Sequence, residues 1–422
     1  MKLLTSVKPP ESVTGRYLLL LLLKASPLLY PWNILRMLLV QLEQINYSMK
    51  KKRKNLLEIS CTTPPYGIIR AIRLLFESYK AEIIHDVTTD TRNPTCPLKS
   101  GSYALKFDML QEYATRVLTV CFELDEILFP VLGAAAPEGF LPDLNENENV
   151  APESSKIVRS MNAQMLLVSS WRSMKEICIL LTELCVNFPL EGELPSENKK
   201  PKINYILKFQ QVKTIGDHLL YLLMNLMHRG VFEQVFVGFK NLCARLKRSK
   251  DPKLNNLSKE WLQDIMAKVA DKCTTRRSAG LPFIFQAILS PEAGNEQVMT
   301  YWMKKLLEPD AGLKELAPVR IHSMNVLRAL FRDATFSHAI MEWVPEGIQL
   351  AFRGLRAKEW AVSVVKQRIQ HLNAVQICNL FRFLLGTKFR THALRIRHPP
   401  DVWAKAESYE CTHIFPEIPS NV

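Results

Sequence analysis

Apolar residues in this chain recur at steps of three and four, the spacing of one face of an α-helix, and no comparable run alternates with period two. Between Met161 and Phe188 the stripe is Leu167, Trp171, Met174, Cys178, Leu181 and Cys185. A second stripe is Ile215, Leu219, Leu222 and Leu226, widened by Leu223. Phe232, Val235, Phe236, Phe239, Leu242 and Leu246 form a third, and Leu257, Trp261, Ile265 and Val269 a fourth. Further helices are predicted over 283–289, 298–307 and 321–331. The polar breaks between them are short. Ser249-Lys250-Asp251-Pro252 and Ser290-Pro291-Glu292-Ala293-Gly294 read as helix stops. Successive helices joined by such loops pack as antiparallel neighbours, and a long array of these pairs is an α-solenoid. The predicted fold is therefore all-α, an α-solenoid of irregular HEAT/armadillo-like helix pairs. No strict repeat period supports tetratricopeptide or ankyrin arrays.

Composition shifts divide the chain further. Segment 87–103 is polar and Pro-containing, and 137–155 is acidic around Asn145-Glu146-Asn147-Glu148-Asn149. The predicted organisation is N-terminal helical repeats over 1–136, an acidic flexible linker over 137–155, a main helical block over 156–345, a divergent helical segment over 346–397 and an unstructured tail over 398–422. The leucine run 17–23 is closed by Arg16 and Lys24, far short of the roughly 20 apolar residues that span a bilayer. It is expected to be a buried solenoid helix, with no membrane role.

Only 15 residues are Gly, about half the usual share of roughly 7%. No two glycines are one residue apart, which excludes G-x-G-x-x-G cofactor turns, and P-loop, H-E-x-x-H and G-x-S-x-G motifs are absent as well. Nine scattered cysteines, none in a C-x-x-C pair, fit a reducing compartment and a cytoplasmic location, with the nucleus as the alternative. The formal net charge of +14 favours an anionic partner: nucleic acid first, an acidic protein or lipid surface second. No residue is assigned to catalysis or to a metal.

Three basic constellations stand out. Arg276, Arg277 and Ser278 precede Gly280 and Pro282, a composition suited to a helix entrance. Two guanidiniums and helix N-terminal N–H groups there suit a phosphate; an Arg pair bridging neighbouring helices is the equally weighted alternative. Arg320, His322, Asn325, Arg328 and Arg332 form a hydrogen-bonding, basic ridge opposite Ile321, Met324, Leu327 and Phe331. Arg172 and Lys175 lie three apart beside Trp171, itself read as core rather than as a stacking platform. The charge run 50–54 reads as a solvated loop.

Cys273-Thr274-Thr275-Arg276-Arg277-Ser278-Ala279-Gly280-Leu281-Pro282 resembles the signature of the large helical-repeat proteins that include thyroid adenoma-associated protein and the yeast regulatory subunit of a tRNA ribose methyltransferase. Supporting blocks are 171–176, 230–233 and 320–333, and the similarity is strong over roughly 160–333. The resemblance implies a non-catalytic subunit that binds tRNA and positions the anticodon loop, at nucleotide 32, for 2'-O-ribose methylation. An FtsJ-type methyltransferase partner would carry the chemistry and S-adenosylmethionine, leaving this chain without a cofactor. Its length is that of a fragment or short isoform, since family members exceed a thousand residues, and the segment after Trp360-Ala361-Val362 departs from their pattern. A protein–protein scaffold with a basic face and no RNA role is the competing reading.

Overall fold

Every second helix of the N-terminal half stacks on the next: α2 (Pro31–Lys51) on α4 (Tyr66–Thr88), α4 on α6 (Glu153–Asn187), and α6 on α8 (Arg229–Lys247). Such skipping contacts build a layer of stacked helices, the arrangement expected of helix-pair repeats. The computed structural model describes residues 2–26, 31–51, 56–88, 107–134, 153–193, 205–226, 228–267, 280–308 and 317–355. All regular elements among them are helical, and two residues, Leu190 and Leu207, form an isolated bridge. No described helix is long and apolar enough to cross a membrane.

The chain divides into two compact units, the first comprising Met1–Ile265 with Thr275–Gly280, the second Met266–Thr274 with Leu281–Val422. The first contains α1 (Pro9–Ala25), α2 (Pro31–Lys51), α3 (Leu56–Thr62), α4 (Tyr66–Thr88), α5 (Phe107–Ala134), α6 (Glu153–Asn187), α7 (Phe209–Asn225), α8 (Arg229–Lys247) and most of α9 (Pro252–Ala267). Helices on both sides of the acidic stretch 137–155 thus share one core, because α6 packs on α3, α4 and α5 as well as on α8. The second unit contains all but the first residue of α10 (Gly280–Leu289), then α11 (Glu296–Leu307), α12 (Ala317–Arg332), the short α13 (Ser337–Ile340) and α14 (Val344–Leu355).

The predicted stops have identifiable chemistry. Asp251 accepts from the N–H of Lys253 at 2.9 Å, and Pro252 opens α9 where its missing N–H costs nothing. A single 3₁₀ turn, Ser290–Glu292, closes α10, and Asn295 caps α11 by accepting from Val298.

Two expectations change. The leucine-rich α1 is not buried all round. Leu21 and Leu22 are 60% and 56% exposed, while Ser12, Gly15, Arg16 and Leu23 face the protein. Helix α6 departs in the opposite direction: beyond its predicted stripe it buries Ser169, Ser170, Ser173, Glu176, Ile177, Leu180 and Leu184. Neighbours on several sides leave it little solvent face.

Candidate nucleic-acid interface

One cleft of the first unit gathers side chains from three helices. Its lining is Pro9 and Ser12 of α1, Tyr66 and Arg70 of α4, and Trp171, Arg172, Lys175 and Glu176 of α6, around about 160 Å³. Helical spacing explains the convergence. Arg172, Lys175 and Glu176 stand at i, i+3 and i+4, and Tyr66, Arg70 and Arg73 follow the same rule on α4. Gly67 lets the N-terminal segment reach α4, since a Cβ there would overlap the carbonyl oxygen of Leu4. The Tyr66 hydroxyl fastens that segment, donating toward the carbonyl oxygens of Ser6 and Val7 at 2.9 and 2.8 Å.

Beneath the cleft runs a half-buried ion network centred on the buried Glu176. Arg73 donates from Nε to Glu176 at 3.1 Å and from Nη1 to Glu183 at 3.1 Å. Glu176, only 6% exposed, also lies 3.8 Å from Nε of Arg70. Burial lowers the Arg73 guanidinium's proton affinity, but Glu176 and Glu183 more than restore it, for a net rise. Arg70 ends below its ordinary value. Burial dominates, Glu176 pushes back, and the guanidiniums of Arg16 and Arg73 add repulsion. Buried Nε–H groups of Arg16, Arg70 and Arg172 have no hydrogen-bond partner among the described residues.

The aromatic side chains are already engaged. Arg172 stands over the rings of Tyr66 and Trp171, 5.7 and 5.4 Å from their centroids. Trp171 also stacks on His228, with centroids 5.6 Å apart and planes 15° apart. Its ring is half-buried, packed by Arg172 and His228 and also lining the cleft, so it is not a fully buried core residue. Burial pushes the Tyr66 hydroxyl up, with Arg172 working the other way.

A second basic surface belongs to the other unit. On α12, Arg328 and Arg332 are exposed, and Asn325 and Arg320 are half-buried. His322 is 2% exposed and lies on the core face with Val326, Leu327, Leu330 and Phe331, whereas Ile321 and Met324 are only half-buried. The buried face is therefore rotated from the predicted one and takes in His322, leaving Arg320, Asn325, Arg328 and Arg332 outside it. Gln286 of α10 donates to the carbonyl oxygen of Ala329 at 3.0 Å and ties α10 to α12.

Arg276, Arg277 and Ser278 lie outside the described residues. Gly280 is the first residue of α10 and belongs to the first unit, where a Cβ would overlap the carbonyl oxygen of Leu223. Glycine at that point of the signature permits this close backbone approach. Pro282 falls in the first turn of α10, as expected of a helix start.

Arg70 and Arg73 were not among the sequence candidates. Their signal is a pair of arginines inside the apolar run Ile68-Ile69-Arg70-Ala71-Ile72-Arg73-Leu74-Leu75. A cation on a helix side that is otherwise apolar needs a partner from another element.

Residues 112–361 match the family described as THADA/TRM732, DUF2428. A Drosophila melanogaster protein named tRNA (32-2'-O)-methyltransferase regulator THADA is 30% identical over 399 residues, covering 86% of this chain and 22% of its own length. The Gallus gallus protein of the same name is 27% identical over 443 residues, again 86% of this chain and 22% of its own. A Schizosaccharomyces pombe protein named tRNA (32-2'-O)-methyltransferase regulator trm732 is 24% identical over 347 residues, 79% of this chain and 20% of its own. The chain spans about a fifth of the length of these relatives. No solved structure matches.

Proposed function

The chain belongs to the THADA/TRM732 family, and from that premise we propose that it is a non-catalytic regulatory component of tRNA 2'-O-methylation. In this reading it binds tRNA and holds the anticodon loop so that nucleotide 32 meets an FtsJ-type methyltransferase, which supplies S-adenosylmethionine and the chemistry. The observation that carries the reading is the family match over 112–361 together with relatives named as regulators of that methylation. The charge of +14 and the exposed Arg328 and Arg332 support an anionic partner. Physically, a regulator of this kind contributes orientation. Fixing the ribose hydroxyl against the methyl donor converts an encounter into a positioned reaction. Arg276, Arg277 and Ser278 are proposed contacts to tRNA phosphate or to the partner.

The test combines the purified chain, an FtsJ-type methyltransferase, tRNA and labelled S-adenosylmethionine. Methylation of the nucleotide-32 ribose is expected to depend on the chain. Arg276→Ala with Arg277→Ala should lower it while helical circular dichroism is retained. Equal methylation with and without the folded chain would sink the proposal.

A further inference from the structure

The cleft between α1, α4 and α6 carries more positive than negative charge at its wall. We propose that it captures one phosphate of an RNA backbone, with Arg70, Arg172 and Lys175 as donors, and that it does so without reading the base. The proposal rests on the tRNA-binding role above and gives that role a physical contact.

The charge count comes first. Three cations line the cleft against one carboxylate, Glu176. That carboxylate is shared between Arg73, from which it accepts a hydrogen bond, and Arg70 at 3.8 Å, so it offsets only part of the wall's positive charge. Lys175 has no ion-pair partner among the described residues, and Nε–H groups of Arg70 and Arg172 are buried without hydrogen bonds. Buried donors of this kind call for an acceptor. A phosphate oxygen supplies one, and the planar guanidinium fork suits it.

Size and aromatic packing then restrict the guest. The space of about 160 Å³ is roughly half the ~300 Å³ at the low end of small-molecule pockets, so a phosphate with part of its ribose fits and a whole nucleotide does not. Tyr66 and Trp171 are packed by Arg172, and Trp171 by His228 as well. The Tyr66 hydroxyl is directed to backbone carbonyls. With the rings engaged, no stacking platform is offered to a base. The contact is therefore of the backbone-positioning kind. The two rings also hold Arg172 in place, so little freedom is lost on binding.

The experiment is fluorescence anisotropy of the purified chain with labelled tRNA and with an unrelated RNA stem–loop, across a salt series. Lys175→Ala and Arg172→Lys are compared with the wild type. Lys175 is half-buried with no ion-pair partner among the described residues, so its removal keeps the test interpretable if Arg172 variants fold poorly. We expect each variant to bind both RNAs about tenfold more weakly at low salt. For Lys175→Ala the slope of log affinity against log salt should become shallower by about one; for Arg172→Lys, which keeps the charge and loses only the planar fork, it should stay unchanged. Wild-type binding to RNA with folded variants unchanged would overturn the site and leave the regulatory role standing. A wild-type chain that binds neither RNA would overturn both. Loss confined to tRNA would overturn the base-independent reading. Variants that lose binding only to phosphatidic acid vesicles would replace RNA by a lipid headgroup and overturn the proposal.

Discussion

Replacing Glu176 by Gln changes one atom and should move stability and RNA affinity in opposite directions. The carboxylate is 6% exposed, receives a 3.1 Å hydrogen bond from Arg73 and stands 3.8 Å from Arg70. Removing one partner of a buried pair costs about 3–5 kcal/mol, and a hydrogen bond to a charged group is worth about 1.5–3 kcal/mol. Arg73 keeps Glu183 at 3.1 Å, and the Arg70 side chain is 35% exposed. The loss therefore falls at the lower end, about 2–3 kcal/mol. For a unit of this size that lowers the melting temperature by roughly 5–10 °C. The same substitution removes the carboxylate from the cleft wall, so the folded variant should bind RNA more tightly at low salt. Thermal melting by circular dichroism and RNA anisotropy on one preparation read both effects. A melting temperature within about 1 °C of wild type would refute the account of the ion network. Weaker RNA binding by the folded variant would refute the sign assigned to the cleft.

Three further outcomes follow from the same packing. Burial, with Glu126 adding, pushes the Asp125 carboxyl up to about 7, and burial pushes His218, 3.5 Å away, down to about 4. For Asp125 the folded value lies above the unfolded one, so its penalty is absent below the unfolded value, near 4, and grows until the pH passes about 7. Asp125→Asn should therefore gain about 2–3 kcal/mol more over wild type at about pH 8 than at about pH 5, by urea denaturation; equal differences would contradict this. Trp261→Phe loses the 2.7 Å hydrogen bond to Asp217 and should cost about 1.5–3 kcal/mol, read from urea midpoints at unchanged slope. Arg328→Ala with Arg332→Ala, both exposed, should leave stability within about 0.5 kcal/mol and weaken tRNA binding in gel-shift titration. Undiminished binding would remove the α12 ridge from the interface.

Helix positions were legible because each helix carries its own periodicity. The stripe on α7 is buried at every predicted position, and the stops read at 249–252 and 290–294 fall where α8 and α10 end. Burial was less legible where several neighbours meet. Periodicity identifies the side of a helix that avoids water, yet α6 is covered on more than one side and buries serines and a glutamate outside its stripe. On α12 a histidine and a serine complete the core face, so a reading from apolar residues alone aims that face a fraction of a turn away.

The interface divides in the same way. Arg172 and Lys175 were visible in the sequence because they sit three residues apart, a local property of one helix. Their partners were not. Arg70 and Arg73 lie on α4, and Arg73 meets Glu176 across 103 residues of chain. The sequence by itself determined the all-α class, the stripes, the stops, the basic balance and the family signature, since each is set by neighbouring residues or by composition. Only the tertiary structure decided which cations are neutralised and which are left to face a ligand, because a charge is cancelled by whatever packs against it, at distances of a few ångströms and irrespective of separation along the chain.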